Sequence, residues 1–296
     1  MNKTNISIII LILILLVTQF QGCITNEPTD NIFYEKNTFY VDIDGSTNFS
    51  SIQNAINAAP ANYTISILNG HYKENLIINK PLTIVGENPL TTFIDGNDTE
   101  DVIVINNDSV TISNCSIFGS GRTQNDAGIH INSKYVIIKN NIIYDNKCGI
   151  YARTASYADI NNNTFKLNNE YGVYVYSSSN TKLIDNEFYS NDCSLRIKGS
   201  QHCEVIRNRF NDSMQGMYFC CGAKQNTVYH NTFLNHTKWN ADDQVGSNSW
   251  NSINLSEGNY WDDYFGVDEN DDGIGDSAYN VTNTGRKDFF PLMNPI

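Results

Sequence analysis

The stretch Ile160-Asn161-Asn162-Asn163-Thr164-Phe165 returns as Leu183-Ile184-Asp185-Asn186-Glu187-Phe188, as Val205-Ile206-Arg207-Asn208-Arg209-Phe210 and as Val228-Tyr229-His230-Asn231-Thr232-Phe233. With Asn141-Ile142-Ile143 upstream, the Asn of this motif recurs at spacings of 22, 23, 22 and 23 residues, each time three positions after an aliphatic residue. A unit of this length is too short for a helix pair and carries no leucine-rich consensus. It is the period of one coil of a parallel β-helix. When coils stack at a strand spacing of about 4.8 Å, equivalent residues fall above one another. Ile143, Phe165, Phe188, Phe210 and Phe233 are therefore expected to form an interior stack, flanked by a ladder of Asn amides that bond one another and the turn backbone. These residues build the fold and do no chemistry.

A second row lies half a repeat away, at Gly128-Ile129, Gly149-Ile150, Gly172-Val173, Ser194-Leu195 and Gly216-Met217, so each coil holds two or three short strands separated by Asn, Gly and Ser turns. Upstream, Cys115 takes the Asn slot. The longer step of 26 from it to Asn141 leaves room for a polar loop, Gly119 to Asp126. Downstream, Asn259-Tyr260-Trp261 repeats the motif, with Trp261 as a larger last member of the stack. An open first coil needs a cap, and Ser51 to Pro60 supplies a Ser start, apolar residues at helical spacing and a Pro stop. The expected fold class is all-β, a right-handed parallel β-helix over residues 39–257 with a cap helix near 50–59 and a C-terminal cap over 258–296.

Composition agrees. The chain has 296 residues, 40% of them apolar and 17% charged, which excludes disorder for most of its length. It contains 44 Asn, 17 Tyr and 14 Phe, a bias towards turns and strands. A net charge of −13 repels phosphate backbones and excludes a nucleic-acid partner. Lys3 precedes an unbroken apolar run, Ile8 to Val17, too short to span a bilayer. Together with Phe20-Gln21-Gly22-Cys23 it reads as an export signal over residues 1–22 with a lipobox-like end, so Cys23 is expected to carry a lipid anchor to the membrane and residues 23–38 to form a linker.

Strand alternation gives the outer surface. In the Gly-initiated row the residue after the Gly and the one two further on point inward, which turns His130, Tyr151, Tyr174, Arg196 and Tyr218 outward in one column. Asn132, Arg153, Tyr176, Lys198 and Cys220 stand beside them. Rings stack on sugar faces and guanidinium groups pair with carboxylates, so this basic, aromatic strip on an acidic chain suits an acidic polysaccharide or another cell-envelope ligand. The same Tyr and Arg content also follows from β-propensity and from balancing acidic turns.

Asp268-Glu269-Asn270-Asp271-Asp272-Gly273-Ile274-Gly275-Asp276 places oxygen side chains at positions one, three, five and nine around a turn Gly, the front half of a calcium loop. Asp268, Asn270, Asp272 and Asp276 are the expected ligands of a structural Ca2+. Tyr279 stands where the closing Glu belongs, so Asp262, Asp263 or Asp288 would have to close the site.

Two sets of residues resemble known families. The cap helix, Ile65 to Asn75 and Leu82-Thr83-Ile84-Val85-Gly86 look like the opening of pectin-lyase-like right-handed β-helices. Gly258-Asn259-Tyr260-Trp261-Asp262-Asp263-Tyr264, Asp272 to Asp276 and Asp288-Phe289-Phe290-Pro291-Leu292 are similar to the ending of NosD-like β-helix proteins. The resemblance implies an exported β-helix, related to copper handling or to carbohydrate binding.

Two alternatives follow. A lyase or hydrolase of acidic glycans would use Arg153 or Arg196 as base with Ca2+ on the substrate, yet no nucleophile, base and orienting group stand together in the sequence. The turn acids near the face are Asp145, Glu170 and Asp192. Copper handling would draw on His202-Cys203 and Cys220-Cys221, which fall on neighbouring coils and offer soft ligands. A disulfide from Cys203, or buried free thiols, competes with that reading. Cys148 and Cys193 share a repeat position two coils apart, too far for a bond. His71, His230 and His236 are expected singly, in turns or at the surface.

Overall fold

The computed structural model describes residues 36–281 and 285–296. The export signal, Cys23 and most of the linker lie outside the described residues. Residues 37–296 form one compact unit, a right-handed parallel β-helix of about nine turns.

Each coil contributes to three parallel sheets. Sheet 1 runs from Thr38–Val41 to Thr227–Tyr229, sheet 2 from Gly70–Lys73 to Tyr260–Trp261, and sheet 3 from Leu76–Ile78 to Trp239–Asp243, with nine, nine and eight strands. The repeat sets the register. Ile138, Ile160, Leu183, Val205 and Val228 align in sheet 1, and Ile143, Phe165, Phe188, Phe210, Phe233 and Trp261 in sheet 2. In sheet 3 the inward column is Ile129, Ile150, Val173, Leu195, Met217 and Ala241. All are buried. The rings of Phe165, Phe188, Phe210, Phe233 and Trp261 stack at centroid distances of 4.8, 4.9, 4.8 and 4.4 Å, close to the strand spacing. Trp261 is not the end of the stack: Tyr279 lies on it at 4.3 Å, which is why a Tyr stands at that place in the C-terminal segment.

The ladder forms between sheets 1 and 2. The Oδ1 atoms of Asn163, Asn186, Asn208, Asn231 and Asn259 each accept the backbone N–H of the previous ladder Asn at 2.9–3.1 Å, and Asn141 accepts that of Cys115 at 3.0 Å. The residue before each ladder position, Asn140, Asn162, Asp185, Arg207 or His230, takes φ between 52° and 57°. This left-handed turn favours Asn and Asp. Where Arg207 and His230 occupy it instead, each bonds a carboxylate of a neighbouring coil, Asp185 and Glu257 respectively.

A second ladder joins sheets 2 and 3. Ser120, Asn146, Asn168 and Asn191 donate their N–H groups in turn to Asn146, Asn168, Asn191 and Ser213. The glycines of the second row are there because adjacent coils touch. A Cβ at Gly149 would sit 2.4 Å from the carbonyl oxygen of Gly172.

At the N-terminal end, helix α1 (Ile52–Ala58) covers the first coil with Ile52, Ala55 and Ile56. Ser51 caps it. Glu74 reaches up from the coil below and accepts the N–H groups of Ile52 and Gln53 at 2.8 and 3.0 Å, placing a carboxylate at the positive end of the helix. At the other end a short antiparallel pair, Tyr279–Asn280 with Lys287–Asp288, covers the last coil through Tyr279 on Trp261.

Candidate ligand-binding face

Sheet 3 has the longest strands, up to six residues, and carries the outward column expected from alternation. Its register pairs His130 with Tyr151, Tyr151 with Tyr174, Tyr174 with Arg196, and Arg196 with Tyr218; Asp242 follows. Arg153, Tyr176, Lys198 and Cys220 form the neighbouring column. All eight candidate residues therefore stand on one face.

Their exposure differs from the expectation in two places. Tyr151 is only 5% exposed and Cys220 1%, because the large neighbours on this face lean over them. The rings also pack along the helix axis. Tyr151 and Tyr174 lie 5.2 Å apart and His130 sits 4.9 Å from Tyr151, while Tyr174 and Tyr176, on one strand, lie 6.0 Å apart across the axis. Inside the column the faces are taken by neighbours, so ring edges and phenol groups are what this surface offers a ligand.

Arg196 is the centre. Its guanidinium lies 5.0 Å from the Tyr174 ring, 5.6 Å from Tyr218 and 5.4 Å from Tyr171. Nη1 donates to the Tyr171 hydroxyl at 2.5 Å and Nη2 to Cys220 Sγ at 3.5 Å. Burial works against the charge, but the contacts to Cys220 and Tyr171 outweigh it and hold the group protonated. Burial pushes the Tyr171 hydroxyl up to about 12 despite the nearby guanidinium. Alternation from the Gly of the row does not mark Tyr171, which precedes that Gly.

The face also holds a carboxylate–imidazole pair that the sequence did not suggest. Asp101 Oδ2 bonds His130 Nδ1 at 2.8 Å, and His130 Nε2 is buried without a partner. Three other histidines are not single: His71 bonds Asp95 of the adjacent strand, His230 bonds Glu257, and His236 bonds Asn240. Of the turn acids, Asp145 is paired with Arg122 at 2.7 Å and Glu170 with Lys147 at 3.6 Å.

The two metal readings meet a common test. Among the described residues no group of three or more His, Cys, Asp or Glu is placed to hold a metal ion. In the acidic loop Asp268 accepts the N–H groups of Asp272 and Gly273, Asp272 that of Ile274, and Asp276 that of Glu269, so these side chains are turned onto their own backbone. Asp288, suggested as a closing ligand, is instead fully buried and bonds Asn259 and Trp261. Asp262 and Asp263 share the amide of Asn240.

The copper set does not converge. His202 and Cys221 are exposed on turns. Cys203 is buried, its Sγ on the Ser178 carbonyl at 3.4 Å, and Cys220 lies against Arg196. These residues do not fit a copper centre. All six described cysteines are free.

Residues 24–266 match the family described as periplasmic copper-binding protein (NosD). A probable ABC transporter binding protein NosD from Pseudomonas aeruginosa is 28% identical over 148 residues, 49% of this chain and 32% of that protein. The chain thus spans about a third of the length of this relative. Among solved structures, pectin methylesterase from carrot superposes with a TM-score of 0.51 at 11% identity, over 70% of this chain and 77% of the other. Pectate lyase Pel9A gives 0.53 at 12%, over 77% and 74%. At such identities the likeness is one of fold.

Proposed function

Because this chain belongs to the NosD family, described as periplasmic, we propose that its solenoid serves outside the cytoplasm as a binding surface for a polysaccharide or another envelope component laid along sheet 3. The observation that carries this reading is the unbroken outward column His130, Tyr151, Tyr174, Arg196 and Tyr218, flanked by Arg153, Tyr176 and Lys198. A stiff solenoid presents one outward side chain per coil at a fixed spacing, which suits a repeating ligand. Phenol and guanidinium groups held by their neighbours lose little freedom on binding. Anchoring through a lipid at Cys23 belongs to the same proposal and would keep the face near the membrane. No helix among the described residues is long and apolar enough to cross one.

A glycan array probed with the exported chain tests the reading. Retention of specific glycans by the native protein, lost in a Tyr174→Ala/Arg196→Ala double variant, is the expected result. Binding that survives the double substitution contradicts it.

A further inference from the structure

Resting on that reading of sheet 3, we infer that the ligand is an anionic glycan and that Arg196, positioned by Tyr171, selects its acid groups. The guanidinium of Arg196 is walled by three rings and held at its edge by a phenol and a thiol. Its Nε is buried without a partner. Among the described residues no carboxylate lies within 4.0 Å of it, whereas Arg122 and Arg207 each have an Asp. Rings, phenol and thiol stabilise a cation without neutralising it. A partly desolvated cation in this state gains most from an anion, and the planar guanidinium matches a carboxylate or sulfate group.

Arg196 does not stand alone. Lys198 lies two residues along the same strand, over the Tyr176 ring at 5.1 Å. Arg153 stands two coils away in the Lys198 column. Neither has a carboxylate within ion-pair distance among the described residues. Three cations spread over about 10 Å fit a row of acid groups better than a single one. The net charge of −13 opposes such a polymer in general, so cations without acid partners are what would draw it in.

Tyr171 is the positioning residue. It heads its strand between Cys148 and Cys193 in the register of sheet 3. Its hydroxyl bonds Nη1 and fixes the rotation of the guanidinium between Tyr174 and Tyr218.

The test is calorimetric titration of the exported chain with polygalacturonate and alginate oligosaccharides, with the methyl-esterified galacturonate, and with dextran sulfate beside dextran. The acid form is expected to bind at least tenfold more tightly than the ester. Arg196→Gln should abolish that preference. Tyr171→Phe should cut the acid-to-ester ratio severalfold, a ratio that a general loss of folded protein does not change. Tighter binding of dextran sulfate than of either uronate identifies the acid group as sulfate and supports the same seat. Equal affinity for acid and ester overturns the inference and leaves the sheet 3 reading intact, as does a preference that survives Arg196→Gln. Failure of the native protein to bind any of these acid glycans also overturns the inference, while the glycan array decides the sheet 3 reading separately.

Discussion

Asp288 finishes the ladder that Asn259 would otherwise leave open. Its Oδ2 accepts the backbone N–H of Asn259 at 2.7 Å, in the place that the next Asn fills on the preceding coils. The same oxygen accepts the indole N–H of Trp261 at 3.0 Å, and Oδ1 accepts the N–H of Phe290 at 3.1 Å. Gly258 makes room for it, since a Cβ there would lie 1.9 Å from Oδ1. The cap therefore closes both interior columns, the amides with Asp288 and the rings with Tyr279. Asp288→Ala leaves the buried N–H groups of Asn259 and Trp261, and the partly buried one of Phe290, without this acceptor and is expected to cost about 3 kcal/mol, read as a lower denaturation midpoint.

The same carboxylate gives a pH dependence. Burial raises its pKa from 3.8 to about 6, against the lowering effect of its N–H donors. Between these values the folded chain binds a proton that the unfolded chain does not. The contribution of Asp288 to stability is therefore largest below about pH 4, falls as pH rises to about 6, and stays level above, a change of about 3 kcal/mol in all. Unfolding in urea from pH 4 to 7 should show this slope in the native protein and its loss in Asp288→Asn.

Asn186 sits mid-ladder. It accepts from Asn163 through both the backbone and the side chain, and donates to the Ile160 carbonyl at 2.8 Å and to Asn208 at 2.9 Å. Asn186→Ala is expected to destabilise the solenoid by about 3 kcal/mol through the groups left unpaired. Exposed Asn169, one turn away, should tolerate the same change within about 0.5 kcal/mol.

Thiol chemistry should single out one residue. Cys221 is exposed, whereas Cys115, Cys148, Cys193, Cys203 and Cys220 are buried. Burial pushes Cys115 and Cys193 up to about 12, so little reactive thiolate forms there. Of these six, iodoacetamide should modify Cys221 in the native protein, and the others only after denaturation, as peptide mass spectrometry would show.

The β-helix was legible because one slot, Asn followed two positions later by Ile or Phe, keeps its residue type through successive coils. The second ladder has the same period, five residues after the first, at Asn146, Asn168, Asn191 and Ser213. It is masked in the sequence because its last member is Ser and its Asn residues lie in turns already crowded with Asn. The outward column was readable from alternation alone, including Arg196 between two tyrosines. Tyr171 was not, because its hydroxyl reaches a guanidinium on the next coil from a position that alternation does not mark. Asp288 lies 29 residues from Asn259 in a segment without period, and its place at the head of the Asp288 to Leu292 motif does not mark it as a ladder partner.

If sheet 3 holds the ligand, substitutions there alone should release it. The most direct measurement compares two double variants against the glycan that binds the native protein most tightly. One is Tyr174→Ala/Arg196→Ala on sheet 3. The other is Tyr144→Ala/Lys166→Ala on sheet 2, where a Lys lies 5.3 Å from a Tyr ring in a similar arrangement. At least a tenfold loss of affinity in the first and less than twofold in the second is the predicted result. Equal losses, or a loss confined to sheet 2, would mean that sheet 3 is not the ligand's seat.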